Sequence, residues 1–137
     1  MDTTIATPAA IRPSRLLRLA LGADAIASGT LGALALAGGS SLAAPLGLPG
    51  ALLQGAGAFC IAYAALVARM ARRDALPAWL VWLVVGGNAV WAADSLLLLA
   101  SGWVAPTGLG IAFVVAQAIA VAVFAAAQYA GLARSTR

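Results

Sequence analysis

The chain has 137 residues, of which 64% are hydrophobic and 9% charged, and it carries a net charge of +4. An average soluble domain is about 45–50% apolar and about 25% charged, and a fold this small buries too little of its surface to hide the excess from water. Composition therefore excludes a water-soluble globule and points to a chain whose solvent is a lipid bilayer.

All eight basic residues are Arg, four Asp are the only acids, and Lys, His and Glu are missing. Without Lys there is no Schiff base for retinal or pyridoxal chemistry. Without His the commonest metal ligand and general base is gone. The single Cys60 makes neither a thiolate zinc site nor an intrachain disulfide. The expectation is a chain with no cofactor, no metal site and no catalytic residues, and so not an enzyme. The Arg residues flank apolar runs instead of forming one basic surface, so membrane lipids are the expected partners and nucleic acid is not. Arg without Lys, in so Ala-rich a chain, points to a high-GC bacterial genome.

Residues 1–14 hold Pro8, Pro13, Thr and Ser without apolar periodicity and read as a mobile N-terminal arm. The first apolar run spans about 16–39. It follows Arg12, Arg15 and Arg18, as a signal peptide would, but its apolar core is roughly twice the length of a signal h-region, so it reads as an uncleaved span. Residues 39–50, with Pro45 and Pro49, read as an uncharged turn. The second run spans about 51–71 and ends at Arg72, Arg73 and Asp74. The third starts after Pro77 and spans about 78–100. Ser101, Gly102, Pro106 and Gly108 mark the next turn, the fourth run spans about 107–132, and residues 134–137 form a tail. Runs of about 20–25 residues match a hydrocarbon core of about 30 Å at about 1.5 Å per residue. Strands are excluded by length and by the need to satisfy the backbone in lipid. The predicted fold is an all-α membrane protein, a four-transmembrane-helix bundle over 15–133 made of two tandem helical hairpins.

The N-terminal arm, the middle loop and the tail hold every Arg, and the other two loops hold none. The positive-inside rule places both termini and the middle loop in the cytoplasm of an inner (plasma) membrane crossed by a multi-pass chain. Trp79 and Trp82 at one end of the third span and Trp103 beyond its other end form an interfacial belt. Ala44-Pro45-Leu46-Gly47-Leu48 resembles Ala105-Pro106-Thr107-Gly108-Leu109, and Gly22-Ala23-Asp24-Ala25-Ile26 resembles Gly86-Gly87-Asn88-Ala89-Val90. These likenesses suggest a parallel repeat of one hairpin, against the alternative of chance recurrence in a biased sequence.

Asp24, Ser28, Gly32, Ala35 and Gly39 fall on one stripe of the first helix. Small residues of this kind let backbones approach closely in lipid. Ala58, Ala62 and Ala65 share a face of the second helix, and Gln117, Val121, Phe124 and Gln128 a face of the fourth. Ser28, Gly32, Ala58 and Ala62 are the expected packing positions, serving either the chain's own bundle or a homo-oligomer or larger membrane complex.

Asp24 lies roughly 13 Å into the first span, and Asn88 and Gln117 about 15 Å into the third and fourth from opposite ends. These three are expected to share one layer, with Asp94 about one and a half turns beyond Asn88 and disposed to solvation or capping. A mid-bilayer carboxylate costs about 2.5–3.5 kcal/mol even on a lenient scale. Asp24 can remain protonated and donate to Asn88 or Gln117, face a wet cavity, or bind a cation. The first is structural; the others are functional. Two functions stay open: a non-catalytic membrane component or accessory subunit, and a proton- or cation-coupled transporter of a small or lipophilic solute using Asp24.

Across 86–128, with Gly87-Asn88, Trp91, Ser101-Gly102-Trp103, Ala105-Pro106-Thr107 and Ala116-Gln117-Ala118, the chain resembles small four-span bacterial inner-membrane proteins of unassigned function. That likeness implies no activity. Size, four spans and an acid in the first span also resemble the small multidrug resistance transporters. There Asp24 would stand where they carry an essential acid. That acid is Glu in those transporters, and the Arg bias of this chain departs from the dual topology of some of them.

Overall fold

Four uninterrupted apolar runs become four helices, because lipid offers a backbone no hydrogen bonds and a helix satisfies its own. The computed structural model describes residues 9–137. In chain order it contains β1 (Ala10–Ile11), α1 (Arg15–Leu46), α2 (Gly50–Ala71), β2 (Leu76–Pro77), α3 (Ala78–Ser101) and α4 (Gly108–Ala133). All four helices are long and apolar enough to cross a membrane, and the chain is a four-transmembrane-helix bundle built of two helical hairpins. Its outer surface is correspondingly apolar: Ile26 is 73% exposed and Leu97 64%.

Helices α2, α3 and α4 begin and end within a residue of the expected bounds, but α1 runs seven residues past 39. Gly39 does not stop it. This residue is buried, and its Cα faces the Gln54 side chain of α2, so it serves close packing. Pro45 sits in the last turn of α1, where it removes one i→i−4 hydrogen bond just as the helix ends. The helix ends at Gly47, which takes the left-handed conformation (φ 64°) and returns its N–H to the last turn.

Of the segment expected to be a mobile arm, residues 1–8 lie outside the described residues, and 9–14 are held in place. Ile11 pairs with Leu76, and Ala10 with Pro77, in an antiparallel ladder. Arg12 exchanges backbone hydrogen bonds with Thr136 in the tail. Ser14 caps α1 by accepting from Leu17 N–H at 3.1 Å and donates to the Gly131 carbonyl of α4 at 2.6 Å. One hydroxyl thus starts the first helix and fixes it to the last. Ser14→Ala is expected to lower stability by about 1–2 kcal/mol, read as a drop in the thermal unfolding midpoint in detergent.

These contacts gather residues 9–14, the tail and the 72–77 loop at one end of the bundle, together with all eight Arg. Arg18 pairs there with Asp74 at 3.1 Å. An apolar plug that includes Ile11, Leu17, Leu21, Val67, Met70 and Leu76 fills this end, and Leu46, Leu48, Leu53 and Val114 fill the other. At that far end Thr107 caps α4, and it reaches across to α1 through its N–H to the Leu46 carbonyl (3.0 Å) and its hydroxyl to the Pro45 carbonyl (2.7 Å). The two Ala-Pro-X-Gly-Leu motifs therefore meet without being structural equivalents. The first closes a helix, and the second lies largely in the loop before α4.

Helix α1 packs on α2 and α4, and α3 packs on α4. Gly32 of α1 opposes Gly57 of α2, as a Cβ on either would come within 2.8 Å of the other's carbonyl oxygen. Ser28 and Gly32 lie on the inner side of α1, as expected for packing positions. Ala58 and Ala62, expected to pack, are exposed instead, and so is Ala65. Gly57, Ala64 and Val67 take their place. The reason is size: the α2 face that lets two backbones come closest is the one centred on Gly57.

Candidate functional site

Asp24 is nine residues into α1, on the face turned to the bundle axis, and is fully buried. Its Oδ2 accepts hydrogen bonds from Tyr63 Oη of α2 (2.7 Å), Asn88 Nδ2 of α3 (2.8 Å) and Gln128 Nε2 of α4 (2.7 Å). Its Oδ1 accepts from Ser28 Oγ, one turn on in α1, at 2.9 Å. One carboxylate therefore binds a donor from every helix. The ring also closes on itself, since Asn88 Nδ2 donates to Gln128 Oε1 at 3.0 Å. Tyr63 Oη also lies 3.0 Å from Asn88 Oδ1, so its single hydrogen serves two acceptors, the nearer being Asp24.

Each donor comes from a helix face set by packing elsewhere. The Gly32–Gly57 crossing holds α2 close enough for Tyr63 to reach α1. The contact of Gly131 with Leu17 does the same for α4 and Gln128, as a Cβ on Gly131 would lie 2.6 Å from the Leu17 backbone. Among the described residues no buried side-chain nitrogen or oxygen lacks a partner. Polar groups in hydrocarbon demand this, and side-chain bonds there average about 0.6 kcal/mol each.

The expected layer of Asp24, Asn88 and Gln117 forms in part. Asp24 and Asn88 meet, and they are the residues matched by the Gly-Ala-Asp and Gly-Gly-Asn likeness. Gln117 lies elsewhere. With 26 residues in α4, its position nine residues from one end leaves it about 24 Å from the other. Gln128, three turns along the same helix face, sits at the depth of Asp24. The sequence signal for Gln128 is that shared face with Gln117; the choice between the two needed the height of α4 relative to α1.

Gln117 instead joins a second polar cluster. It accepts from Trp91 Nε1 at 3.0 Å and donates to Ser95 Oγ at 2.8 Å. Ser95 donates to the Trp91 carbonyl at 2.7 Å. The Trp91 ring stacks on Phe59 of α2, with centroids 5.5 Å apart and planes 8° apart. Asp94 is exposed and takes no hydrogen bond or ion pair among the described residues. It lies beside Trp91, Ser95 and Gln117 in the wall of a cleft between α2 and α3.

Both oxygens of Asp24 are engaged by the protein, Oδ2 by three donors and Oδ1 by Ser28 Oγ. Among the described residues no three His, Cys, Asp or Glu side chains gather as a metal site would need. Searched against family models, curated proteins and solved structures, the chain matches none. Its likeness to small four-span proteins consists of four helices of spanning length.

Proposed function

We propose that this protein is a non-catalytic component of a bacterial inner membrane, an accessory subunit or scaffold, with Asp24 as the pin that sets its helix arrangement. The observation that carries this is the setting of Asp24: a fully buried carboxylate with one donor from each of four helices. A carboxylate that exchanges protons or cations during transport needs a route to water and an acceptor position left open. Asp24 is fully buried, its Oδ2 already takes three donors, and it lies behind Tyr63, Asn88 and Ser28 as seen from the nearest cavity. The gathering of all eight Arg at one end supports cytoplasmic placement of both termini. The exposed stripe of Ala58, Ala62 and Ala65 suits contact with another membrane helix, in a homo-oligomer or a larger complex.

The second reading, a proton- or cation-coupled carrier, draws support from one feature: the cleft between α2 and α3 reaches the very side chains that surround Asp24. Reconstitution in liposomes separates the two. For a structural component, wild type and Asp24→Asn both insert and fold, and neither moves protons or a lipophilic cation faster than protein-free liposomes. A flux present in wild type and abolished in well-folded Asp24→Asn makes the protein a carrier.

A further inference from the structure

The two hairpins leave their two seams unequal. Between α1 and α4 the backbones approach at Gly131 and at Gly110, which lies against the Leu46 carbonyl. Between α2 and α3 the backbones scarcely approach at all. Phe59, Tyr63 and Leu66 on α2 face Leu83, Trp91 and Asn88 on α3, and side chains of this bulk hold two helices apart. The result is a cleft with two connected cavities, of about 330 and 380 Å³, that share Leu31, Cys60, Trp91, Asp94 and Gln117 in their walls. Each is within the size range of small-molecule sites, about 300–1,000 Å³.

The walls are apolar except at two heights: one where Ser28, Tyr63 and Asn88 of the hub reach the cleft, and one where Asp94 stands with the Trp91–Gln117–Ser95 cluster. Asp94 precedes the end of α3 by seven residues, which places it about 10 Å along the helix from that end. Its cluster neighbours bond to one another, and among the described residues no hydrogen bond or ion pair reaches it. All eight Arg are at the opposite end of the bundle. An unpaired acid at membrane depth is costly, and an indole face next to it favours a cation.

We propose that the cleft between α2 and α3 is a binding site for a single-chain amphiphile with a cationic head, entering sideways from the bilayer. The head pairs with Asp94 against the Trp91 ring, and the hydrocarbon chain lies along the apolar walls toward Leu80 and Leu83. Charge complementarity selects this occupant over a neutral or anionic lipid, whose head would leave Asp94 unpaired or repel it. The cleft touches the hub at Tyr63, Asn88 and Ser28, but the head position at Asp94 shares no hydrogen bond with Asp24 and goes beyond the scaffold role, so each reading is tested by its own variant.

Dodecylpyridinium tests it, because its head is cationic and quenches indole fluorescence on contact. The full chain is placed in nanodiscs of zwitterionic lipid with Trp79, Trp82 and Trp103 changed to Phe. All three are at least half exposed, at 52%, 52% and 87%, so Trp91 is left as reporter at little structural cost. The expected result is saturable quenching that dodecyltrimethylammonium relieves and dodecyl sulfate does not. Asp94→Asn is expected to raise the half-saturating concentration about tenfold, and Asp94→Glu to restore most of the affinity. As Asp94 makes no hydrogen bond within the bundle, these variants leave the hub intact. The unchanged chain, compared with its own Asp94→Asn variant by equilibrium dialysis of the same probe, checks the result without the Trp changes. The proposal is overturned by quenching that rises without saturation and equally in wild type and Asp94→Asn, by equal competition from dodecyl sulfate, or by crosslinks placing a second copy of the chain in the cleft.

Discussion

Asp24→Ala destabilises the bundle by about 2–4 kcal/mol, while Asp24→Asn costs under about 1 kcal/mol. The contrast follows from the atoms. Alanine removes the acceptor that Tyr63, Asn88 and Gln128 share and leaves three buried donors without it. Four bonds at the membrane average of about 0.6 kcal/mol set the lower figure, and the penalty for orphaned buried donors, about 1–3 kcal/mol each before relaxation, sets the upper. Asparagine keeps an oxygen where Oδ2 stands. Its amide nitrogen takes the place of Oδ1, facing Ser28 Oγ, and a hydroxyl can turn to accept as readily as it donates. Thermal and denaturant unfolding in detergent micelles measure both variants against wild type. Equal stability of Asp24→Ala and wild type would remove Asp24 from its role as pin. A collapse of Asp24→Asn comparable with that of Asp24→Ala would show that the charge itself, not the acceptor count, holds the hub together.

Gly57→Leu is expected to cost about 3 kcal/mol or more, and Gly55→Leu to stay within about 0.5 kcal/mol of wild type. The two glycines are two residues apart on α2 yet meet different surroundings. A Cβ on Gly57 would lie 2.7 Å from the Leu36 nitrogen and 2.8 Å from the Gly32 carbonyl oxygen, while one on Gly55 meets nothing within 4 Å. Backbone atoms cannot swing aside as a side-chain tip does, so α1 and α2 must part. That parting draws Tyr63 away from Asp24, so the damage spreads to the hub. The unfolding midpoint measures the first effect. The near-ultraviolet circular dichroism of Tyr63 and its aromatic neighbours follows the second. A Gly57→Leu protein as stable as wild type would be incompatible with the close α1–α2 crossing.

How much of the site could be read from the sequence varied with the kind of information each residue needed. Asp24 and Asn88 were legible because a polar residue deep in an apolar run is unusual on its own, and the depth of each follows from counting along one helix. Gln128 was passed over for Gln117. Counting inward from opposite ends assumes spans that just match the hydrocarbon core, and α1 and α4, with 32 and 26 residues, are longer than a core of about 30 Å requires. Which face of α2 packs within the bundle was not legible for a related reason. Ala58, Ala62 and Ala65 are as regular a stripe as Gly57, Ala64 and Val67, and only the partner helix decides which is buried. The arm at 9–14 carries no periodic signal, and its order comes from Leu76, Gly131 and Thr136, residues far along the chain.

By itself the sequence determined the number of spans, their limits apart from the end of α1, and the gathering of Arg at one end. These are local properties: hydropathy over about twenty residues and charge in the loops act on each segment separately. The tertiary structure alone decided which polar residues meet at Asp24, which face of α2 is covered, and that the α2–α3 seam stays open around Asp94. Those depend on the heights and rotations of helices relative to one another. A bilayer, equally apolar toward every side of a helix, leaves that choice to close backbone contacts and to the few hydrogen bonds that must be made.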